Sequence, residues 1–299
     1  MLNITTQSTN ECRIAGILKE LDIEEKKTSD GREYITGTAK IGVDQEIEGK
    51  SVESIIPVRM FSFKLKTDGT PNQVYTRIQG YKDNFISAAV VDDVNKATQV
   101  IVNGNTCNLK ESMWPDKTTG QIKTGFEVDC NFLNYKRDTD EETAEFVLTG
   151  VVLGTREEMN GEDPTGRLIV SFGIIGYKGR INVVDLYASD TKRAHIEANW
   201  NEGDTVKVVG KIVVSNKTVT WTEELGFGEP ITRRRTESRR ELVILGGSPN
   251  GYEESQAYDA DDIKNSLAER KAYMEEQKNK AKAAAPATKP ANNVGGFGF

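Results

Sequence analysis

Apolar and polar positions alternate over short stretches through most of the chain. Between residues 11 and 245 such stretches fall at 12–18, 34–41, 55–65, 100–102 and 125–133, and again at 146–153, 168–175, 181–187, 205–214 and 241–245. They are rich in β-branched and aromatic residues and bounded by turn formers, the pattern of strands separated by tight connections. No long helical period alternates with them, which argues for a barrel or sandwich rather than parallel βαβ units.

A faint internal repeat divides this strand-rich part in two. Ile14, Ala15 and Gly16 are echoed by Leu148, Thr149 and Gly150, and Asp30, Gly31 and Arg32 by Thr165, Gly166 and Arg167. Each half then offers a third apolar strand, a short segment able to cap a barrel (75–89 and 189–200), and two further strands joined by a long polar loop. Five strands with a cap between the third and fourth is the plan of the OB barrel. The expectation is an all-β chain of two tandem OB-like five-stranded barrels, at residues 1–145 and 146–250. A glycine-rich link at 246–251 leads to a helical segment at 251–285 and a disordered tail at 286–299. Within the helix Asp259, Asp261 and Asp262 stand at the start and Lys278, Lys280 and Lys282 at the end, which suits the helix dipole. Its stripe of Ile263, Leu267 and Met274 is thin, as in a helix docked weakly on a neighbour.

Charge and chemistry narrow the function classes. The net charge of −7 argues against a simple nucleic-acid coat, but residues 146–250 hold 14 basic and 14 acidic side chains, so a local basic surface is open to the chain. No apolar run is long enough to cross a bilayer and no secretory leader pattern stands at Met1, which predicts a cytoplasmic protein without a membrane partner. Cys12, Cys107 and Cys130 are too widely spaced for a zinc motif and are expected as free, buried thiols. His195 is the single histidine. The 161–166 segment has the glycine spacing of a phosphate loop without its Lys and Ser/Thr, and reads as a hairpin turn. No catalytic residue, cofactor or metal site is expected. Asp92, Asp93, Asp138 and Asp140 fall in charged turns; a metal-dependent nuclease would need them as ligands.

Two stretches suggest contact with single strands. Along 57–64, Val58 and Met60 share one face, and Arg59, Phe61 and Phe63 the other. Arg32 and Tyr34 share a face of the preceding strand. Rings beside cations on an outer sheet face stack bases and meet phosphates. The opposite phase would bury Phe61 and Phe63 instead. The second stretch is the loop between the fourth and fifth strands of each half. It carries Lys110, Trp114, Lys117 and Lys123 in the first. In the second it carries Trp221 and then Arg233, Arg234, Arg235, Arg239 and Arg240, five arginines within eight positions. In OB barrels this loop forms one wall of the binding groove; a merely solvated loop is the alternative.

A barrel, a long basic hairpin and a low-complexity tail with an aromatic tip together resemble phage and bacterial single-stranded DNA-binding proteins. The resemblance spans the chain in layout. It implies sequence-tolerant coating of single-stranded DNA in replication or recombination. It also implies a tail that recruits replication or recombination proteins, here through Phe297 and Phe299. The tip departs from the bacterial pattern, because residues 292–299 contain no acidic side chain. Stacking alone does not read the 2′-hydroxyl, so RNA remains an alternative ligand. The rival reading is a β-rich structural or assembly protein without nucleic-acid affinity.

Overall fold

In the computed structural model, which describes residues 3–4, 6–116, 121–223, 227 and 229–284, the alternating stretches are strands and run longer than the sequence pattern marks. They are β1 (Asn10–Lys27), β2 (Glu33–Ile47), β3 (Lys50–Phe63), β4 (Gln99–Val102), β5 (Cys107–Pro115), β6 (Ile122–Cys130), β7 (Asn134–Tyr135), β8 (Thr143–Asn160), β9 (Asp163–Ile175), β10 (Ile181–Ala188), β11 (Thr205–Glu223) and β12 (Ile231–Gly247). Helices α1 (Gln73–Asn84), α2 (Asp190–Asn199) and α3 (Ala260–Ala284) complete the chain. The extra length lies at hairpin ends, where polar residues extend the ladders around a few buried apolar ones such as Ile23, Val43 and Ile47.

The pairing closes twice. In the second half β8 pairs β9, β9 pairs β10, β10 pairs β12 in parallel, β12 pairs β11, and β11 returns to β8. In the first half β1, β2, β3 and β6 follow the same order, again with a parallel step from β3 to β6. Here the fourth strand is broken. β4 pairs β1 and β5 pairs β6, with a single 3-10 turn at Gly104–Thr106 between them. Each ring has five strand positions, with a helix between the third and fourth, which is the OB arrangement. α1 buries Tyr75, Ile78 and Tyr81, and α2 buries Ile196 with Trp200 just beyond it. The Trp200 indole N–H donates to the Ser248 carbonyl at 3.0 Å.

Both first strands run antiparallel against each other, joining the two rings into one sheet. In that register Cys12 lies opposite Phe146. The repeat that matches Gly16 to Gly150 also matches Cys12 to Phe146, so an approximate two-fold axis passes between them. The glycines themselves are sites of close approach: a Cβ on Gly16 would sit 2.1 Å from the Gly42 carbonyl oxygen, and one on Gly150 would sit 2.2 Å from that of Gly173. The three cysteines are free and buried, with Cys107 paired across the ladder with Cys130. Hydrogen bonding to Cys12 pushes the Cys107 thiol far above its ordinary range. The 161–166 segment is a turn, with Gly161 at a φ of 68°.

α3 docks more firmly than its thin stripe suggests. Asp259 accepts from the amides of Asp261 at 2.9 Å and Asp262 at 3.2 Å, capping the first turn. Ile263 and Leu267 pack with Val151, Ile175, Ile181 and Tyr258. Arg270 forks onto Glu111, whose side chain is 3% exposed, with Nε donating to Oε2 at 2.8 Å. Glu111 Oε2 also accepts from the Val183 amide at 3.1 Å. The helix therefore ties to both rings at once. Among the described residues no helix is long and apolar enough to cross a membrane. The tail at 286–299, with Phe297 and Phe299, lies outside the described residues.

Candidate nucleic-acid interface

The alternation along β3 resolves with Val58 and Met60 in the core at 1% and 2% exposure, while Phe61 on the other face is 48% exposed. β2 pairs with β3 so that Tyr34 faces Phe63 and Thr36 faces Phe61. This register gathers three rings on one outer face. Phe61 and Phe63 meet edge to face at 5.1 Å between centroids, and Tyr34 lies 5.5 Å from Phe61. The Arg32 guanidinium covers the Phe63 ring at 4.8 Å, and its Nε donates to Asp30 at 2.8 Å. The ladder between β3 and β6 holds only Val58 and Arg59, so the Phe61 amide would be left open. The Asn131 side chain accepts from it at 2.8 Å and fixes the strand beneath the rings.

A cleft of about 480 Å³ adjoins this cluster, lined by residues that include Arg59, Phe61, Lys110, Glu127, Asp129 and Asn131. Arg59 pairs with Glu127, and Lys110 with Asp129. Farther along the same outer face, Trp114 stands opposite Lys123, 44% exposed, with its ring over Gly125. Lys123 pairs with Asp116 at 2.5 Å. Lys117 lies outside the described residues. Beside the ring cluster, Lys64 and Lys27 hydrogen-bond the Glu33 carboxyl and hold it below the usual carboxylate range.

The second hairpin corrects one expectation. The five arginines do not form a single wall, because β12 is a regular strand through 231–244 and alternates its faces. Arg233 and Arg239 share a face with Trp221, which stands directly opposite Arg233 and is 43% exposed. Arg235 shares that face by register; its side chain is not among those described. Arg234 and Arg240 belong to the other face. Arg233 pairs with Glu223, and Arg239 with Glu241 at 2.8 Å. Arg240 does not line a groove: it crosses to the first ring, lies over Phe126 at 4.8 Å and donates to the Phe126 carbonyl at 2.5 Å. The desolvation of that contact lowers its pKa. His195 is exposed on α2, against Asn199.

Three groups in this region escape a sequence reading: Glu127, Asp129 and Asn131. Their signal was available, since an OB plan sets the fifth strand beside the third, and 125–131 puts its odd residues outward. What the arrangement can do is stack planar rings and offer cations around them. Among the described residues no group of three or more His, Cys, Asp or Glu is placed to hold a metal ion.

No curated protein matches the chain. Among solved structures it is similar to a deletion-and-substitution variant of the single-stranded DNA binding protein from Thermus aquaticus. That match has a TM-score of 0.51 and 12% identity, covering 83% of this chain and 97% of that one. The wild-type protein from the same organism matches with a TM-score of 0.48 and 12% identity, covering 85% of this chain and 98% of that one. The first likeness agrees with the strand order in placing this mostly-β fold among OB-fold proteins. The model of the YorF family matches residues 8–280, and the chain belongs to the YorF family.

Proposed function

We propose that the chain binds single-stranded DNA with little regard to sequence, coating strands exposed during replication or recombination in the cytoplasm of a bacterial or phage-infected cell. The observation that carries this reading is the ring cluster of Tyr34, Phe61 and Phe63 on an outer face, roofed by Arg32 and bordered by Arg59 and Lys110. Rings held half in water add less to stability than buried ones, whereas bases stack on such rings at about 1–3 kcal/mol each. The solved protein it resembles in fold is named for the same ligand. We take residues 1–145 and 146–250 as two domains, joined through β1 and β8, with the helical segment as a strap across both. Partner recruitment is assigned to the tail carrying Phe297 and Phe299.

The mechanism is stacking with counterion release; no bond is made or broken. Fluorescence titration with oligo(dT), with a duplex of equal length and at two salt concentrations, tests it. Preference for the single strand is the expected result. Equal affinity for both forms removes the stacking mechanism, and no affinity for either leaves the structural-protein reading standing.

A further inference from the structure

We propose that, of the two matching outer faces, only the first barrel's stacks bases, and that the corresponding face of the second barrel has become the joint holding the two barrels together. This rests on the single-stranded DNA reading above. The correspondence between barrels comes from two registers. The parallel pairs Val58–Val128 and Leu186–Leu242 align β3 with β10, so Arg59 corresponds to Tyr187. The close approaches of Gly16 to Gly42 and of Gly150 to Gly173 align β2 with β9, so Thr38 corresponds to Ile169. Thr38 pairs with Arg59 and Ile169 pairs with Tyr187, so the two alignments agree. In this frame Phe126 corresponds to Arg240, and these two touch across the two-fold axis.

The same frame strips the second barrel of its rings. β10 ends at Ala188, the counterpart of Met60. Phe61 and Phe63 correspond to Ser189 and Thr191, which bond each other at 3.1 Å and open α2. Tyr34 corresponds to Thr165, and Thr36 to Arg167. Arg167 does not face solvent as a phosphate ligand would. Its side chain is 18% exposed and held by Glu158 at 3.2 Å and Glu241 at 2.6 Å, over the Tyr187 ring at 5.0 Å.

Farther along, the outer positions Val213 and Val243 are covered by Ile47 and Val52 from the tip of the β2–β3 hairpin. Gln45 of that tip donates to the Ile212 carbonyl at 2.7 Å. A strand of DNA laid on this face would have to break a buried ion network and lift an apolar hairpin. Among the described residues, the projecting ends of β11 and β12, with Trp221 43% exposed and opposite Arg233, lie beyond the joint.

The test is ultraviolet cross-linking of the full chain to oligo(dT) carrying 5-iodouracil, read by mass spectrometry, beside a titration of Tyr187→Leu. Cross-links at Tyr34, Phe61 or Phe63 and none at Tyr187 are expected. Tyr187→Leu should change Kd by less than about fivefold, the smallest loss that one stacked base gives. A cross-link at Tyr187, or a larger loss in a Tyr187→Leu chain with an unchanged thermal midpoint, overturns the proposal and leaves the single-stranded DNA reading intact. The cross-link readout uses the unaltered chain, so it decides even where the variant folds poorly. Failure of the unaltered chain to bind oligo(dT) at all overturns both readings.

Discussion

Phe61→Ala separates a ring that serves the ligand from a ring that serves the fold. A Phe→Ala change in a core costs about 3–5 kcal/mol, most of it from lost burial and a residual cavity. Phe61 is 48% exposed, so its truncation opens a surface that water fills rather than a cavity. Halving the burial and removing the cavity leaves a loss of about 1 kcal/mol. The contacts with Tyr34 and Phe63 add about 0.5–1.5 kcal/mol. A thermal midpoint lowered by only a few degrees follows for a chain of this size. Binding should fall by a comparable amount. Loss of one stacked base costs about 1–3 kcal/mol, or about 5- to 150-fold in Kd.

Phe63→Ala should act in the same direction, with a larger share in stability, because Phe63 is half-buried beneath Arg32. The two rings touch, so the double variant should lose less than the sum of the singles. Anisotropy titration with oligo(dT) and a thermal melt on the same samples give both quantities. A Kd unchanged within about twofold in a well-folded Phe61→Ala chain, below the loss of any stacked base, refutes the reasoning.

Three further outcomes follow from the same geometry. Changing Arg233, Arg234 and Arg235 together to Ala should flatten the log–log salt dependence of binding by about 1.4. That figure is two contacts at about 0.7 each, since the three cannot share one face; a slope identical to the parent's would place the hairpin outside the complex. Arg270→Ala leaves the buried Glu111 carboxylate with the Val183 amide alone, so it should cost up to about 3–5 kcal/mol of stability. Pairing it with Glu111→Gln should recover part of the loss, measured by thermal melts and by hydrogen exchange over α3; equal stability of Arg270→Ala and parent would show that the helix is not held there. Glu241 is buried, which raises its pKa, but hydrogen bonds from Arg167 and Arg239 outweigh burial and hold it below the usual range. Its folded pKa is depressed, so its contribution is complete above the ordinary Glu value and disappears as pH falls through the folded one. Melts across that acid range should show a drop that Glu241→Gln flattens, and an undiminished drop in the variant would assign acid sensitivity to other carboxylates.

Much of this architecture was written locally in the sequence. The period of two along 57–64 sorts Val58 and Met60 inward and Phe61 outward, because one face of a barrel strand must be dry. Gly16 and Gly150 mark equivalent crossings where a Cβ would strike a carbonyl, so this match pointed to two copies of one fold, whereas Gly31 and Gly166, matched in sequence, are not equivalent in that frame. The two cap segments are helices because each has one apolar edge to bury. The broken fourth strand was hidden, since Gly104–Thr106 interrupts a pairing that residues 99–115 share between two partners. Equally hidden were Glu111 with Arg270 and Phe126 with Arg240. Those contacts join positions more than a hundred residues apart, and no local pattern encodes where one barrel will meet the other. The arginine run misled for a simpler reason: adjacency in sequence is opposition in a strand.

The cations of the candidate interface bear on what drives binding. Arg59, Lys110, Lys123, Arg32 and Arg233 each have a carboxylate partner in the free chain. A phosphate that arrives must replace a carboxylate already in place. Exposed pairs of this kind are worth about 0–1 kcal/mol, so the exchange is easy but yields little. The released carboxylate then repels the strand, which subtracts from the gain of a naked basic groove. Net charge works in the same direction at −7. Under the proposed function, affinity for single strands would therefore come chiefly from the rings, and the salt slope should be shallower than the number of nearby cations suggests. On that proposal, an acidic chain that stacks bases and attracts phosphates weakly would discriminate by access to the base faces, which a duplex withholds.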